Sequence, residues 1–205
     1  MVEALKAGGV VIYPTDTLYA VGCDARNAGA LARLRAAKGR EAGKAFPVIA
    51  ADEDDARRLA SHWPEAAVLL AAAFWPGPLT LVVPAASDLP VELLAGAVGV
   101  AVRVPASSIA RTLAAGVGPL VSTSANLAGE APCVTADLAL AAFPDADLAV
   151  DIGPLDGAPS TIVDLTGDAP RVLREGRVSR SRIEAVLAGA PDEGLPESGP
   201  TRGGV

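Results

Sequence analysis

Short apolar runs alternate along the chain with segments in which apolar residues recur every three or four positions, and this alternation predicts an α/β fold. Predicted strands cover residues 9–15, 46–51, 79–83, 98–104, 120–123, 148–152, 161–165 and 171–174. Predicted helices begin at or just after Asn27, Asp52, Pro64, Ser107 or Ser108, Thr135 and Ser179. Some strands follow one another without an intervening helix, which favours a sheet of mixed parallel and antiparallel strands.

The 205 residues are enough for one domain, predicted over residues 1–188. The last segment, residues 189–205, is rich in proline, glycine and acidic residues and is predicted to be a disordered tail. The longest uncharged stretch, residues 66–87, contains Pro-Gly-Pro at 76–78, so we expect a helix, a turn and a strand rather than a membrane span. No secretory signal is evident, and only two cysteines occur, so the expected location is the cytoplasm.

The net charge and the number of histidines limit the kinds of ligand and catalysis that the protein can support. A formal net charge of −7 argues against nucleic-acid binding over the whole surface, although it leaves room for a local basic groove. The single histidine, His62, excludes a histidine-rich metal site and acid–base chemistry that needs several histidines. We expect His62 to lie exposed or half-buried on a surface helix.

Polar or cationic groups cluster at the ends of predicted apolar strands, where open α/β sheets place their ligands. These clusters are Pro14–Thr17, the loop with Lys38, Arg40 and Lys44, Ser122–Asn126, and Ser160–Thr161. Each alone has a plain structural explanation as a turn, a solvated loop or a helix cap. Together they predict a pocket for an anion, in which cations neutralise charge and hydroxyls donate hydrogen bonds.

Two further residues support that interpretation. Arg103 stands between valines in VGVAVRVP, so an inward-facing guanidinium there needs a partner or a ligand. Arg174 ends the last predicted strand. Two nucleotide motifs are absent: the segment Gly39–Lys44 is one residue short of a phosphate loop and lacks its Ser or Thr, and no GxGxxG follows the first strand.

These segments together resemble the YrdC-like family, whose central activity is threonylcarbamoyl-AMP synthesis. The matching segments, in the family's order, are YPTDTLYAVG (13–22), KGR (38–40), PGPLT (76–80), AVRVP (101–105), SAN (124–126), PSTIVD (159–164) and LREG (173–176). The resemblance implies an open, twisted, mixed sheet with flanking helices around a concave site, in the short, single-domain form of the family.

The chain departs from the family pattern at several positions. Glu41 stands where proline follows the KxR arginine, and Ala45-Phe46 replaces Pro-Leu. Ala20 replaces a glycine, and Ile49 stands where some members carry a histidine near the threonine. Glu41 places an acid beside the phosphate loop, where it is free to pair with Arg40 before ATP arrives.

The resemblance implies an enzyme that makes threonylcarbamoyl-AMP and pyrophosphate from L-threonine, bicarbonate and ATP, for threonylcarbamoyladenosine in tRNA. The residues implied to hold ATP are Lys38, Arg40, Lys44, Ser124, Asn126 and Arg174, of which Lys38, Arg40, Ser124 and Asn126 are implied to be catalytic. Those implied to hold threonine are Thr17, Arg103, Ser122 and Ser160. Mg²⁺ is expected to arrive with ATP without dedicated protein ligands, and the product is expected to pass, by transient contact, to the downstream threonylcarbamoyl-transferase complex.

Two alternatives stay open at this point. One is a YrdC-like paralogue that binds a nucleotide or RNA without the synthase activity; the acidic balance argues against RNA. The other is a carbamoyl-transfer enzyme with the same adenylate chemistry, which is expected to need additional domains.

Overall fold

The computed structural model describes residues 1–41, 43–127 and 129–189, so the predicted tail from residue 190 onward lies outside the described residues. The helices within these ranges are α1 (Val2–Lys6), α2 (Ala28–Lys38), α3 (Glu53–Arg57), α4 (Glu65–Phe74), α5 (Val91–Leu94), α6 (Ser108–Val117), α7 (Ala136–Ala142) and α8 (Arg180–Leu187). The side chains of Asn27, Asp52, Ser107, Thr135 and Ser179 each accept a hydrogen bond from a first-turn N–H, as predicted for helix caps.

The strands are short. They are β1 (Val11–Pro14), β2 (Tyr19–Gly22), β3 (Val48–Ile49), β4 (Leu79–Pro84), β5 (Gly99–Arg103), β6 (Leu120–Val121), β7 (Thr123–Ser124), β8 (Leu148–Ala149), β9 (Thr161–Asp164) and β10 (Arg171–Arg174). They form a four-stranded sheet in the order β7-β2-β1-β8 and a six-stranded sheet in the order β10-β9-β4-β5-β3-β6. Both sheets combine parallel and antiparallel pairs, which confirms the predicted mixed α/β fold and divides its strands between two sheets.

The predicted strand over residues 120–123 is two strands in different sheets. β6 pairs with β3 in the larger sheet, and β7 pairs with β2 in the smaller one. Ser122 lies between them and donates its N–H to the Pro47 carbonyl. The chain therefore passes from one sheet to the other at Ser122, and the polar segment that follows lies where the two sheets meet.

The sequence did not predict α1, β2 or α5. β2 pairs antiparallel with β1, so the Thr15–Leu18 segment is the turn of a hairpin. The turn closes through the Thr15 N–H, which donates to the Leu18 carbonyl at 3.1 Å. It carries no Asn-Gly or Gly-Gly signal, so a pattern search for hairpin turns does not find it.

Apolar side chains from both sheets and the helices fill the core, with Tyr13, Tyr19, Phe46 and Leu81 among the largest fully buried residues. His62 is exposed, and it lies in the connection between α3 and α4 because α3 ends at Arg57. The predicted helix position of His62 is therefore wrong, and the predicted exposure is confirmed. Within the described ranges, no helix combines the length and the apolar character that crossing a bilayer requires.

Candidate active site

A cavity of about 670 Å³ opens where the two sheets meet. Its walls come from the β1–β2 turn, the α2–β3 connection, β4, β5, the segment around β7, and the β9–β10 pair. All ten residues that the sequence assigned to substrates line it: Thr17, Lys38, Arg40, Lys44, Arg103, Ser122, Ser124, Asn126, Ser160 and Arg174. The structure thus brings together groups that are up to 157 residues apart in sequence, counted from Thr17 to Arg174.

Lys38 ends α2 and is directed into the cavity because Gly39 ends the helix in the left-handed conformation, with φ of 58°. Its Nζ donates to the main-chain carbonyls of Ser124 and Asn126, both at 2.7 Å. The pKa of Lys38 is lowered to about 8, chiefly by burial and also by the nearby charge of Arg40, whereas Cys133 opposes the shift. The lysine therefore connects the KGR segment (38–40) with the SAN segment (124–126).

Arg40 is held by its own loop. Its Nε and Nη2 donate to the carbonyls of Lys44 and Ala45, at 3.2 and 2.5 Å, and its guanidinium carbon lies 5.0 Å from the centre of the Phe46 ring. Burial lowers the pKa of Arg40, and the neighbouring Arg35 lowers it further.

Glu41 pairs with Lys44 at 3.0 Å, so the predicted Arg40–Glu41 pair is wrong. The carboxylate reaches the next cation along the loop because Arg40 is turned toward main-chain carbonyls. Both partners are largely exposed, so the pair contributes little to stability and leaves Lys44 free to exchange partners.

Arg103 is 7 % exposed and extends from β5. It donates through Nε to the Gly77 carbonyl at 2.8 Å and through Nη1 to Thr17 Oγ1 at 3.2 Å, and its Nη2 lies 2.6 Å from Asp16 Oδ2. The sequence expectation that this charge needs a partner is met by Asp16. Burial lowers the pKa of Arg103, and the Asp16 charge opposes that shift. The pair fixes a buried cation at the base of the cavity.

Ser160 and Arg174 form another part of the cavity wall. Arg174 donates through Nε and Nη2 to the Ser160 carbonyl, at 3.2 and 2.8 Å. The Ser160 hydroxyl lies 3.0 Å from Thr80 Oγ1 and 3.3 Å from Arg174 Nη2. Burial lowers the pKa of Arg174, and the charge of Arg103 lowers it further. Both arginines line the same cavity.

Asn126 shapes the remaining side. Its Nδ2 donates to the carbonyls of Leu127 and Glu130, at 2.8 and 2.9 Å. Its Oδ1 is buried and has no hydrogen-bond partner among the described residues. A buried amide oxygen that accepts no hydrogen bond destabilises the protein, so a ligand that donates a hydrogen bond to Asn126 Oδ1 gains binding free energy.

Sequence reasoning missed two further parts of the cavity. Thr80 lies inside the apolar strand LTLVV and is 5 % exposed; a polar residue within a buried strand was the available signal. The apolar walls come from Leu127, Pro132, Ile162 and Leu173, which no polar pattern could indicate.

The donor set does not form a protein cage for a metal ion. Within the described ranges, no three or more His, Cys, Asp or Glu side chains converge, and Glu41 is the carboxylate in the cavity lining. The hydroxyl groups and the Lys and Arg side chains of the cavity instead suit an anionic ligand that brings its metal ion with it.

Residues 3–176 match the model of the Sua5/YciO/YrdC family, whose description is "telomere recombination". A threonylcarbamoyl-AMP synthase of Thiobacillus denitrificans is 44% identical over 168 residues, which covers 78% of this chain and 87% of the relative. The structure of Pyrococcus abyssi Sua5 complexed with L-threonine superposes with a TM-score of 0.87 and 34% identity, over 93% of this chain and 57% of that one. Escherichia coli YciO gives a TM-score of 0.80 and 30% identity, over 89% of both chains.

The family match covers most of the chain, and the relatives share both its sequence and its fold. The family match and these relatives confirm the resemblance found in the sequence. The chain belongs to the Sua5/YciO/YrdC family.

Proposed function

We propose that this protein is a threonylcarbamoyl-AMP synthase, which joins L-threonine, bicarbonate and ATP and releases pyrophosphate. The observation that carries the proposal is the charge of the cavity. Lys38, Arg40 and Arg174 line it, and their hydrogen bonds go to carbonyl and hydroxyl oxygens. Among the described residues, no carboxylate lies within ion-pair distance of these three cations, so their charge is available to phosphates.

The reaction needs two bond-forming steps. The threonine amine adds to the carbon of bicarbonate, and the C–O bond to the departing hydroxyl breaks; one amine proton leaves with that hydroxyl as water, which gives a carbamate. A carbamate oxygen then attacks the α-phosphorus of ATP, and the bond to the β-phosphate oxygen breaks, so pyrophosphate leaves. Such a transfer depends on positioning and charge neutralisation rather than on a protein nucleophile, which suits a cavity without histidine. The transfer of an adenylyl group makes the enzyme a nucleotidyltransferase.

ATP is proposed to lie between the KxR loop and β10. Lys38, Arg40, Lys44 and Arg174 would face its phosphates as donors, and Ser124 and Asn126 would contact the nucleotide from the β7 side. Asn126 Oδ1 needs a donor, which an adenine amino group or a ribose hydroxyl supplies. Positive groups aimed at the charge that develops on the leaving pyrophosphate lower the barrier.

L-Threonine is proposed to bind deeper, against Arg103. A guanidinium that is already fixed by Asp16 and Gly77 can present its remaining N–H groups to the threonine carboxylate. The hydroxyls of Thr17, Ser122 and Ser160 would surround the ammonium and the β-hydroxyl. In this proposed arrangement the amine would lie near the cations that face the α-phosphate.

Mg²⁺ is proposed to enter as part of the ATP substrate, because the cavity offers cations and hydroxyls rather than a carboxylate cage. The proposed product serves tRNA modification, so we expect the protein to act in the cytoplasm and to pass the adenylate to a threonylcarbamoyl-transferase complex. We expect little direct contact with tRNA because the net charge is −7.

The test is pyrophosphate release from ATP by the purified protein, with threonine or bicarbonate omitted in turn. We expect release only when all three substrates are present, and loss of it in Arg103→Met. His62→Ala is the control, because His62 is exposed and lies outside the cavity lining. Release that does not depend on threonine and bicarbonate would exclude this function and favour a nucleotide-binding module.

A further inference from the structure

Two arginines share one aromatic ring at the edge of the cavity. The guanidinium carbon of Arg35 lies 4.7 Å from the centre of the Phe46 ring, and that of Arg40 lies 5.0 Å from it. Both distances are in the range of a cation–π contact. Phe46 itself is 1 % exposed, and its N–H donates to the Leu93 carbonyl at 2.9 Å, so the ring is a fixed platform.

Arg35 binds the loop that carries Arg40. Its Nη1 donates to the carbonyls of Glu41 and Lys44, at 2.9 and 3.0 Å, and its Nη2 donates to the Glu92 carbonyl at 2.8 Å. Arg40 Nε donates to the same Lys44 carbonyl. Arg35 thereby joins α2, the loop and α5, although it does not itself line the cavity.

The arrangement brings two like charges together. Arg35 lowers the pKa of Arg40, which is the expected effect of a neighbouring cation. Among the described residues, neither guanidinium has a carboxylate within ion-pair distance, and the Glu41 carboxylate binds Lys44. Main-chain carbonyls and the ring therefore hold the two cations in place, and their combined field favours an anion beside Arg40.

We propose that Arg35 and Phe46 are positioning residues that act through Arg40 and set its guanidinium for the phosphates of ATP. The Phe46 ring supplies the one face on which both guanidinium groups rest. The inference rests on the proposed function, because it takes ATP to be the anion that Arg40 meets.

The test is a double-mutant cycle on ATP binding, measured by calorimetry with the purified full chain and Mg²⁺-ATP. Arg35→Met keeps the apolar stem and removes the hydrogen-bonding fork. We expect it to weaken ATP binding about 5- to 20-fold and to leave the KM for threonine within about twofold. In an Arg40→Ala background, we expect Arg35→Met to change ATP binding by less than about twofold, because the group it positions is gone.

Two further variants keep the test decisive if Arg35→Met folds poorly. Phe46→Leu keeps the apolar burial and removes the platform, and we expect about 2- to 5-fold weaker ATP binding, again only when Arg40 is present. Arg35→Lys should restore part of the affinity, since it keeps the charge without the fork. The matched control is Arg33→Met on the same helix, because Arg33 binds Asp147 away from the cavity and should leave ATP binding unchanged.

Additive effects of the Arg35 and Arg40 changes, or equal losses for ATP and threonine, would overturn the inference. Such a result beside normal threonine- and bicarbonate-dependent pyrophosphate release would refute the positioning role alone. Absence of that release from the unmodified protein would refute the proposed function, and absence of ATP binding would refute both.

Discussion

The ammonium nitrogen of Lys38 lies 2.7 Å from the main-chain carbonyl oxygen of Asn126, which joins the end of α2 to the segment that follows β7. A second bond of the same length goes to the Ser124 carbonyl. The two segments are 86 and 88 residues from Lys38 in sequence. One buried lysine therefore holds the two halves of the proposed nucleotide site together while supplying charge to it.

Lys38 should make ATP binding depend on pH. Its pKa is lowered to about 8, so in the ligand-free protein it is charged below pH 8 and increasingly neutral above it. ATP phosphates favour the charged form, and binding above pH 8 must therefore take up a proton. We expect ATP affinity to fall as pH rises from 8 to 9.5, by at most about tenfold per pH unit.

Calorimetry in two buffers of different ionisation enthalpy measures that proton uptake directly. Lys38→Arg is the control, because a guanidinium stays charged over this range, so its ATP affinity should not follow the same curve. Cys133 is a titratable neighbour of Lys38, and burial raises the pKa of its thiol above the ordinary value. A change in ATP affinity that begins near pH 8 is therefore assigned to Lys38 and not to this thiol. Affinity that is constant from pH 7 to 9.5 would mean that Lys38 does not titrate at the ATP site.

Asp16 should contribute to stability through Arg103. The Asp16 carboxylate and the Arg103 guanidinium are 15% and 8% exposed, and their atoms lie 2.6 Å apart. Asp16→Ala leaves a buried cation without its partner, which costs about 3 kcal/mol. Urea unfolding of the two proteins measures the difference, and Asp88→Ala, at an exposed turn, is expected to change stability by less than about 0.5 kcal/mol.

If Asp16→Ala unfolds at the same urea concentration as the unmodified protein, the Asp16–Arg103 pair does not stabilise the fold. A kinetic measurement separates the contribution of the pair to stability from its proposed contribution to threonine binding. Because Asp16 orients the guanidinium proposed to bind the threonine carboxylate, Asp16→Asn should raise the KM for threonine more than that for ATP.

The sequence predicted which polar residues meet in one cavity better than it predicted the strands around that cavity. Ten polar residues at strand ends and in one loop line the same cavity, because polar groups at the ends of buried strands need partners or ligands. The division of residues 120–124 between two sheets was not predictable, since LVSTS has no break in strand propensity. Only long-range pairing, of β6 with β3 and of β7 with β2, determines where the chain changes sheets.

The contacts of Arg40 are a second feature that the sequence pattern does not predict. Its glycine-flanked loop has no apolar periodicity, so the sequence indicates no packing role for Arg40. The structure nevertheless places its guanidinium on the Phe46 ring and against two main-chain carbonyls. The contacts come from residues four to six positions further along an irregular loop, where neither the 3.6-residue nor the 2-residue period applies.

The enzyme should discriminate threonine from 2-aminobutyrate, which lacks the β-hydroxyl. The hydroxyls of Thr17 and Ser160 are buried and already bonded to Thr15 and Thr80, so they are held in fixed positions. A substrate without the hydroxyl loses the hydrogen bond that these fixed groups are proposed to make to it, which we expect to lower kcat/KM by about tenfold or more. Pyrophosphate release with each amino acid measures this ratio, and equal rates would show that the β-hydroxyl is not recognised.

Arg40 should contribute far more to turnover than to stability. Arg40→Ala removes two bonds to carbonyls and one ring contact, all at a half-buried side chain, so we expect a loss of about 1 kcal/mol in the free energy of unfolding. Turnover should fall by about 10² or more, because a cation that faces the charge developing on the phosphates stabilises the transition state by several kcal/mol. Arg40→Lys should recover only part of the rate, since a point charge cannot bind two oxygens as the planar fork does. Urea unfolding and pyrophosphate release on the same preparations separate the two effects. Unchanged ATP affinity and turnover in Arg40→Ala would remove the KxR loop from the active site and favour a protein that binds its ligand without this chemistry.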